Sequence, residues 1–407
     1  MTAATESRPV PSLPATTTTG ALGGMWRAAI TPSGAIETVE PSGGLRYWVA
    51  ADDRWHDPAA ETSVRQRRVE GTPVTETRVR VPNGDVVQRV WTVPDAGGVT
   101  LVEFENDSTL PVAVALDRRD LLADRPPADV PIEGITLPSG SIVLPLGHRA
   151  RVRVGLAHDG RAGGRPPSSL PDHDAVVRGW RTVLDGAGRL DLPAGAAGSG
   201  AADAASAQRA EWLLLGPPPA GEDPAGLLIA LDSLVRCGEP PDPWLDELVA
   251  AVEACADLAA ADAVEALGAA GRVLRRAGER RGERDLDRLL QRVTGDQRSA
   301  VPIAATDHPA LTLARFERRF VDPGPDGVDL LASGLPEDWL GQPVEVHGLP
   351  AGRATTVSYA VRWHGDLPAV IWEQVGPPVT LRSPALDPTW SSTERSGEYL
   401  WRRPSPA

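Results

Sequence analysis

The residues best suited to chemistry stand in two short stretches. The first is Trp48-Val49-Ala50-Ala51-Asp52-Asp53-Arg54-Trp55-His56-Asp57-Pro58. Aromatic faces stack on sugar rings, and Asp and Arg side chains bond paired hydroxyls, so Trp48, Asp53, Arg54, Trp55 and His56 would suit a carbohydrate surface. The second is Arg362-Trp363-His364-Gly365-Asp366 with Trp372-Glu373. Here Trp363 and Trp372 flank one expected hairpin, and Arg362, His364 and Glu373 are polar handles beside them. Each stretch also has a plainer reading. The first is a loop anchored by its tryptophans, with Asp53 and Arg54 as a local ion pair. The second is a core, since period-two counting puts Trp363 on the face of Tyr359 with the other apolar residues.

Other chemistries find little support. The seven histidines show no HxH, HExxH or facial-triad spacing, so no metal site is expected. Cys237 and Cys255 are the two cysteines; they have no CxxC neighbour and read as packed core thiols. No Gly-x-Ser-x-Gly elbow occurs, and the glycine-rich segments lack a phosphate-loop pattern, so no cofactor is expected. The arginine run of 272–288 is interleaved with Glu279, Glu283, Asp285 and Asp287, the mixed pattern of a solvated helix face. Arg65-Gln66-Arg67-Arg68 could grip an anion, but charge protecting a sheet edge explains it as well.

The elements that must position these residues change texture twice. From about residue 25 to 158 the pattern is strand-like. Thr77-Arg78-Val79-Arg80-Val81 alternates, Pro82-Asn83-Gly84-Asp85 turns, and Val86-Val87-Gln88-Arg89-Val90-Trp91 returns, which is the clearest hairpin signal in the chain. Segments 101–105, 112–116, 141–144 and 151–156 follow at intervals suited to an antiparallel β-sandwich. From about residue 171 to 293 the period becomes helical. Leu228, Leu231, Leu234 and Val235 mark one stripe, Leu245, Leu248, Val249 and Val252 a second, and Leu286, Leu289, Leu290 and Val293 a third, giving αα-hairpins of about six helices. Residues 311–320 add a helical stretch. From about 335 to 401 strands return, with Val357, Tyr359, Val361 and Trp363 alternating before a turn at His364-Gly365-Asp366. The expected class is multidomain α+β. It comprises a tail over 1–24 read as disordered, a β-sandwich over 25–160, a linker with one short helix over 161–204 and an αα-hairpin bundle over 205–297. A connecting segment over 298–334 and a small β-domain over 335–407 complete the chain.

Certain local wording fits this order. Trp180-Arg181-Thr182-Val183-Leu184-Asp185, then Leu190-Asp191-Leu192-Pro193, then 208–215 and Ala230-Leu231-Asp232 resemble the junction and first hairpin of six-hairpin glycosidases. The resemblance implies a β-supersandwich, a toroid of αα-hairpins and a C-terminal β-domain, over residues 25 to the C-terminus. It also implies catalysis by two carboxylates facing each other across the toroid mouth. The helical span here suffices for about half a toroid, at roughly 10 to 14 residues per helix plus loops. No catalytic residue is therefore carried over, and the bundle reads as a partial toroid.

With 55 acidic against 41 basic residues and a net charge of −14, the chain has the wrong sign for gripping nucleic-acid phosphates. No apolar run approaches the roughly 20 residues of a membrane span, and no secretory leader is apparent, so a cytoplasmic location is expected. The leading expectation is a carbohydrate-associated, non-catalytic protein binding an oligosaccharide, or a partner protein or second copy at an open helical face. One rival is a glycoside hydrolase or phosphorylase whose site a second chain completes, drawing on Glu211, Glu222, Asp223 or Asp232. The other is a scaffold without ligand.

Overall fold

The computed structural model describes residues 16–38, 43–129, 133–195, 198–256, 258, 260–295, 309–324 and 326–402. They fall into two compact units, divided between Arg181 and Thr182. The architecture is multidomain α+β, with antiparallel sheets first, a central helical region and C-terminal sheets.

In the first unit, β1 (Thr17–Gly20), β2 (Arg27–Ile30) and β3 (Ile36–Thr38) form a three-stranded meander. A four-stranded sheet runs in the order β12 (Ile142–Leu146), β10 (Val112–Leu116), β4 (Tyr47–Ala50), β5 (Trp55–His56). A six-stranded sheet runs β11 (Leu122–Ala123), β13 (Arg151–Ala157), β9 (Val99–Asn106), β8 (Gly84–Val93), β7 (Thr75–Val81), β6 (Arg65–Arg68). Alternation places Val49, Val114 and Leu144 of one sheet in a single cluster with Val90, Val102 and Phe104 of the other, the interdigitated core of a sandwich. The outer side of the six-stranded sheet is also apolar around Trp91 and Leu101, where Leu170 and Val177 cover it.

Thr17–Gly20 corrects the expectation of a disordered tail over 1–24: Thr17, Thr19 and Gly20 are buried, and the strand pairs with β2. The part of that tail before residue 16 lies outside the described residues. A run of four small residues ending in Thr-Gly carries little apolar signal, yet it completes a sheet whose other strands supply the hydrophobic face. The expected β7–β8 hairpin forms, with Val81 opposite Gly84. Its loop is Pro82-Asn83, because proline holds φ negative and Asn83 takes the left-handed conformation at φ 62.

Helix α1 (His173–Leu184) begins in the first unit and ends in the second. It is followed by α2 (Ser199–Leu215), α3 (Pro224–Arg236), α4 (Leu245–Cys255), α5 (Ala260–Ala277), α6 (Arg280–Gly295) and α7 (Pro309–Arg318). Asp223 caps α3 by accepting from the Gly226 N–H at 2.8 Å, with Pro224 in the first turn. Every residue from 225 to 235 is buried, because α3 packs against α2, α4, α5 and α7. The stripe on α4 is only partly as expected. Leu248 is buried, but Val249 is 53 % exposed, and Ala251 and Cys255 complete the buried face.

A five-stranded sheet follows the order β14 (Arg189–Asp191), β17 (Val344–Pro350), β18 (Thr356–His364), β19 (Leu367–Val375), β22 (Ser396–Leu400). A four-stranded sheet is built from β15 (Val321–Gly324), β16 (Gly327–Leu330), β20 (Leu381–Ser383) and β21 (Asp387–Ser392), with β16 and β20 parallel. One apolar cluster runs from Leu231, Val273 and Phe316 of the helices to Val346, Val361 and Trp390 of the strands. The helices and the C-terminal sheets thus share a core. β14, within the stretch read as a linker, pairs with β17 more than 150 residues later.

Candidate ligand-binding site

The first tryptophan stretch folds as the β4–β5 hairpin, with β4 also paired to β10. Trp48 is 8 % exposed on β4 and clusters with Ala115 and Val143, beneath the partly buried Ile135 and Leu137. Trp55 is half-buried, and its indole N–H donates to the Glu133 carbonyl at 2.8 Å. His56 is buried between two carboxylates, with Nε2 3.0 Å from Asp53 Oδ1 and Nδ1 3.1 Å from Glu61 Oε1. Arg54 Nη1 donates to the same Glu61 oxygen at 2.6 Å. The hydrogen bond from Arg54 and its charge hold the Glu61 carboxyl below the usual range. The polar groups therefore spend their bonding capacity on one another.

The second stretch is likewise turned inward. Trp372 is 6 % exposed, stacks edge-on against Trp390 with centroids 5.3 Å apart, and donates to the Glu394 carbonyl. Trp363 is half-buried and donates to the Gln342 carbonyl at 2.8 Å. Both lie on the same side of the β18–β19 hairpin as Tyr359, the face expected for a core. His364 and Glu373 are exposed, and Arg362 is held by Glu345. The structure brings neither pair of indoles together on an open surface.

Arg362 belongs instead to a cluster that sequence reading missed. Asp191, Glu345 and His347 place one ligand atom each within 4.8 Å of one another. His347 Nε2 lies 3.2 Å from Glu345 Oε2 and 3.5 Å from Asp191 Oδ2. These three could hold a divalent cation, but Arg189 lies 3.0 Å from both Asp191 Oδ2 and His347 Nε2, and Arg362 binds Glu345. A cation there would have to displace two guanidinium groups. No pattern within one segment foretells this cluster, because it depends on the β14–β17 pairing.

Of the acidic candidates in the helices, Glu222 is exposed, Glu211 is half-buried on α2, and Asp223 is the cap of α3. Asp232 differs. It is 2 % exposed, and both its oxygens accept from Arg272, at 2.9 and 2.8 Å. Arg236 Nε lies 3.2 Å from Oδ2, one turn along α3. Burial alone would raise this carboxyl; the charges of Arg272 and Arg236 overcome that and hold it low.

Asp232 lies in the wall of a cavity of about 540 Å³ formed by α3, α5 and the turn between β17 and β18. The other charged residues in that wall are Arg236, Arg272, Arg275, Arg276 and Arg353. Residues 272, 275 and 276 share a face of α5 because they are three and four apart. A smaller hollow of about 200 Å³ shares Arg272, Gly352 and Arg353 and is flanked by Glu265 and Glu317. The run read as a solvated face thus begins with an arginine turned inward. The available signal was Asp232-Arg236, an acid and a base one turn apart in an otherwise apolar helix.

No described helix is long and apolar enough to cross a membrane. No protein-family model matches the chain, and no curated protein matches it.

Proposed function

We propose that this chain is a carbohydrate-associated binding protein without hydrolytic chemistry, related in architecture to six-hairpin glycosidases, and that its ligand occupies the cavity beside Asp232. The order of sheets, helices and sheets supports the architectural part. The observation that carries the functional part is the state of the carboxylates. Glycoside cleavage needs a carboxylic acid that keeps its proton beside a second carboxylate. Asp232 is ion-paired to Arg272 and Arg236, Glu317 to Arg209 and Arg236, and Glu265 to Arg318. The charges of Arg272 and Arg236 hold the Asp232 carboxyl low, which suits holding a ligand and opposes donating a proton to one. The volume falls in the range of small-molecule sites.

A thermal-shift screen against neutral and charged sugars, paired with an assay for released reducing ends, tests the reading. The expected result is a saturable rise in Tm with a subset of ligands and no product, since a ligand selective for the folded state raises stability. Cleavage of a glycoside that is lost in Asp232→Asn would overturn it, as would the absence of a shift with every ligand.

A further inference from the structure

Resting on that ligand-binding reading, the charge of the cavity wall narrows what can enter. Asp232 is shared between Arg272 and Arg236, and Glu317 is shared between Arg236 and Arg209. The wall of the cavity itself holds five arginines, Arg236, Arg272, Arg275, Arg276 and Arg353, and one carboxylate, Asp232. Arg276, one turn beyond Arg272 on α5, has no carboxylate partner among the described residues. Arg275 and Arg353 at the rim lean on Glu283 and Asp287 of α6. This excess of arginine sits in a chain whose net charge is −14.

We propose that the cavity binds a phosphate monoester of a small polyol, with the phosphoryl group on Arg276, Arg353 and Arg272 and the hydroxylated body toward Asp232 and Thr356. Guanidinium forks match phosphate oxygens in pairs, and a concave low-dielectric wall strengthens them. The cavity is larger than a bare phosphate fills, which leaves room for the body. Asp232 keeps a lone pair beyond those that Arg272 and Arg236 use, and the half-buried Thr356 lines the same space, so both can bond hydroxyls.

Calorimetric titration of the full chain with glucose 6-phosphate, inorganic phosphate and glucose at low ionic strength tests this. Glucose 6-phosphate should bind at least roughly tenfold tighter than glucose, with inorganic phosphate between them, and added salt should weaken both anions. Arg276→Gln should weaken glucose 6-phosphate by roughly tenfold, the loss of one charge-assisted contact. Arg276→Gln with Arg353→Gln should weaken it further, and glucose should be unaffected. Arg276 is exposed, so the single variant is expected to fold, and an unchanged circular dichroism spectrum checks both. Equal binding of glucose and its phosphate ester would sink the proposal, as would wild-type affinity in the folded double variant. Neutral oligosaccharides that bind while phosphates do not would remove this inference and leave the broader reading standing. If nothing binds, both fall.

Discussion

Glu76 on β7 and Arg89 on β8 stand directly opposite each other, with Glu76 Oε2 3.0 Å from Arg89 Nε. They are the centre of a cross-strand row. Arg67 of β6 binds Glu76 from the other side at 3.0 Å, and Arg153 of β13 binds Glu103 of β9, which faces Arg89. Opposite charges alternate across five strands, each pair at a directly opposed position. The Arg65–Arg68 stretch is thereby explained at Arg67 by its neighbour strand.

Glu76 is 3 % exposed, so Glu76→Gln removes the buried carboxylate that Arg67, Arg78 and Arg89 share. The expected loss is about 3 kcal/mol, typical of breaking one side of a buried ion pair, read from urea unfolding. Burial would raise the Glu76 carboxyl, but hydrogen bonds and charge from Arg67 and Arg78 hold it low. The unfolded chain therefore takes up this proton first as pH falls. The stabilisation is complete above the unfolded value of about 4.3 and is lost as pH drops through the folded one. Glu76→Gln should flatten that part of the acid profile; an unchanged profile would count against the row as a stabilising feature.

His158 gives a second pH window. Its ring stacks on Trp26 with centroids 4.0 Å apart, Nε2 lies 3.0 Å from Thr100 Oγ1, and burial lowers its pKa to about 4, Asp159 opposing weakly. Below about pH 6.5 the unfolded imidazole takes up a proton that the folded one refuses until about pH 4. Stability should fall as pH drops through that interval and be level above it, by roughly 1–2 kcal/mol after allowance for solvent on the open side of the ring. His158→Gln should remove that slope in melts run from pH 4 to 7.

Gly84 follows Asn83 in the β7–β8 turn, and a Cβ there would lie 2.5 Å from the Asp107 carbonyl oxygen and 2.5 Å from Ser108 Cα. Backbone cannot yield as a side chain can. Gly84→Ala should cost about 2 kcal/mol in chemical denaturation, and a neutral result would mean the two turns are not held at this separation.

Trp55 and Trp363 point their indole N–H groups at backbone carbonyls. Trp55→Ala and Trp363→Ala should each lower stability by about 2 kcal/mol and leave the affinity of any cavity ligand within about twofold. A selective loss of sugar affinity in Trp363→Ala, with the fold intact, would return the site to the hairpin.

Local pattern revealed a good part of this molecule. The hairpin around Asn83, strands over 112–116 and 151–156, and the helix over 311–318 can be read from a dozen residues at a time, because their alternation or helical period is set by which face each side chain must bury. The same counting put Trp363 on the Tyr359 face. β1 escaped it because Thr17-Thr18-Thr19-Gly20 has no apolar alternation of its own and is strand only by virtue of β2 beside it.

The amino-acid sequence by itself determined the order of sheets and helices, the acidic surplus, and an apolar stripe on α3, since these follow from composition and period. Tertiary structure alone decided where the charges meet. Asp232 finds Arg272 forty residues away, and Asp191 finds His347 across the β14–β17 pair. Neither pairing leaves a trace within one segment. A charge's cost of leaving water is met by whichever opposite charge the packed helices and strands bring within about 3 Å, and only the folded chain sets that distance.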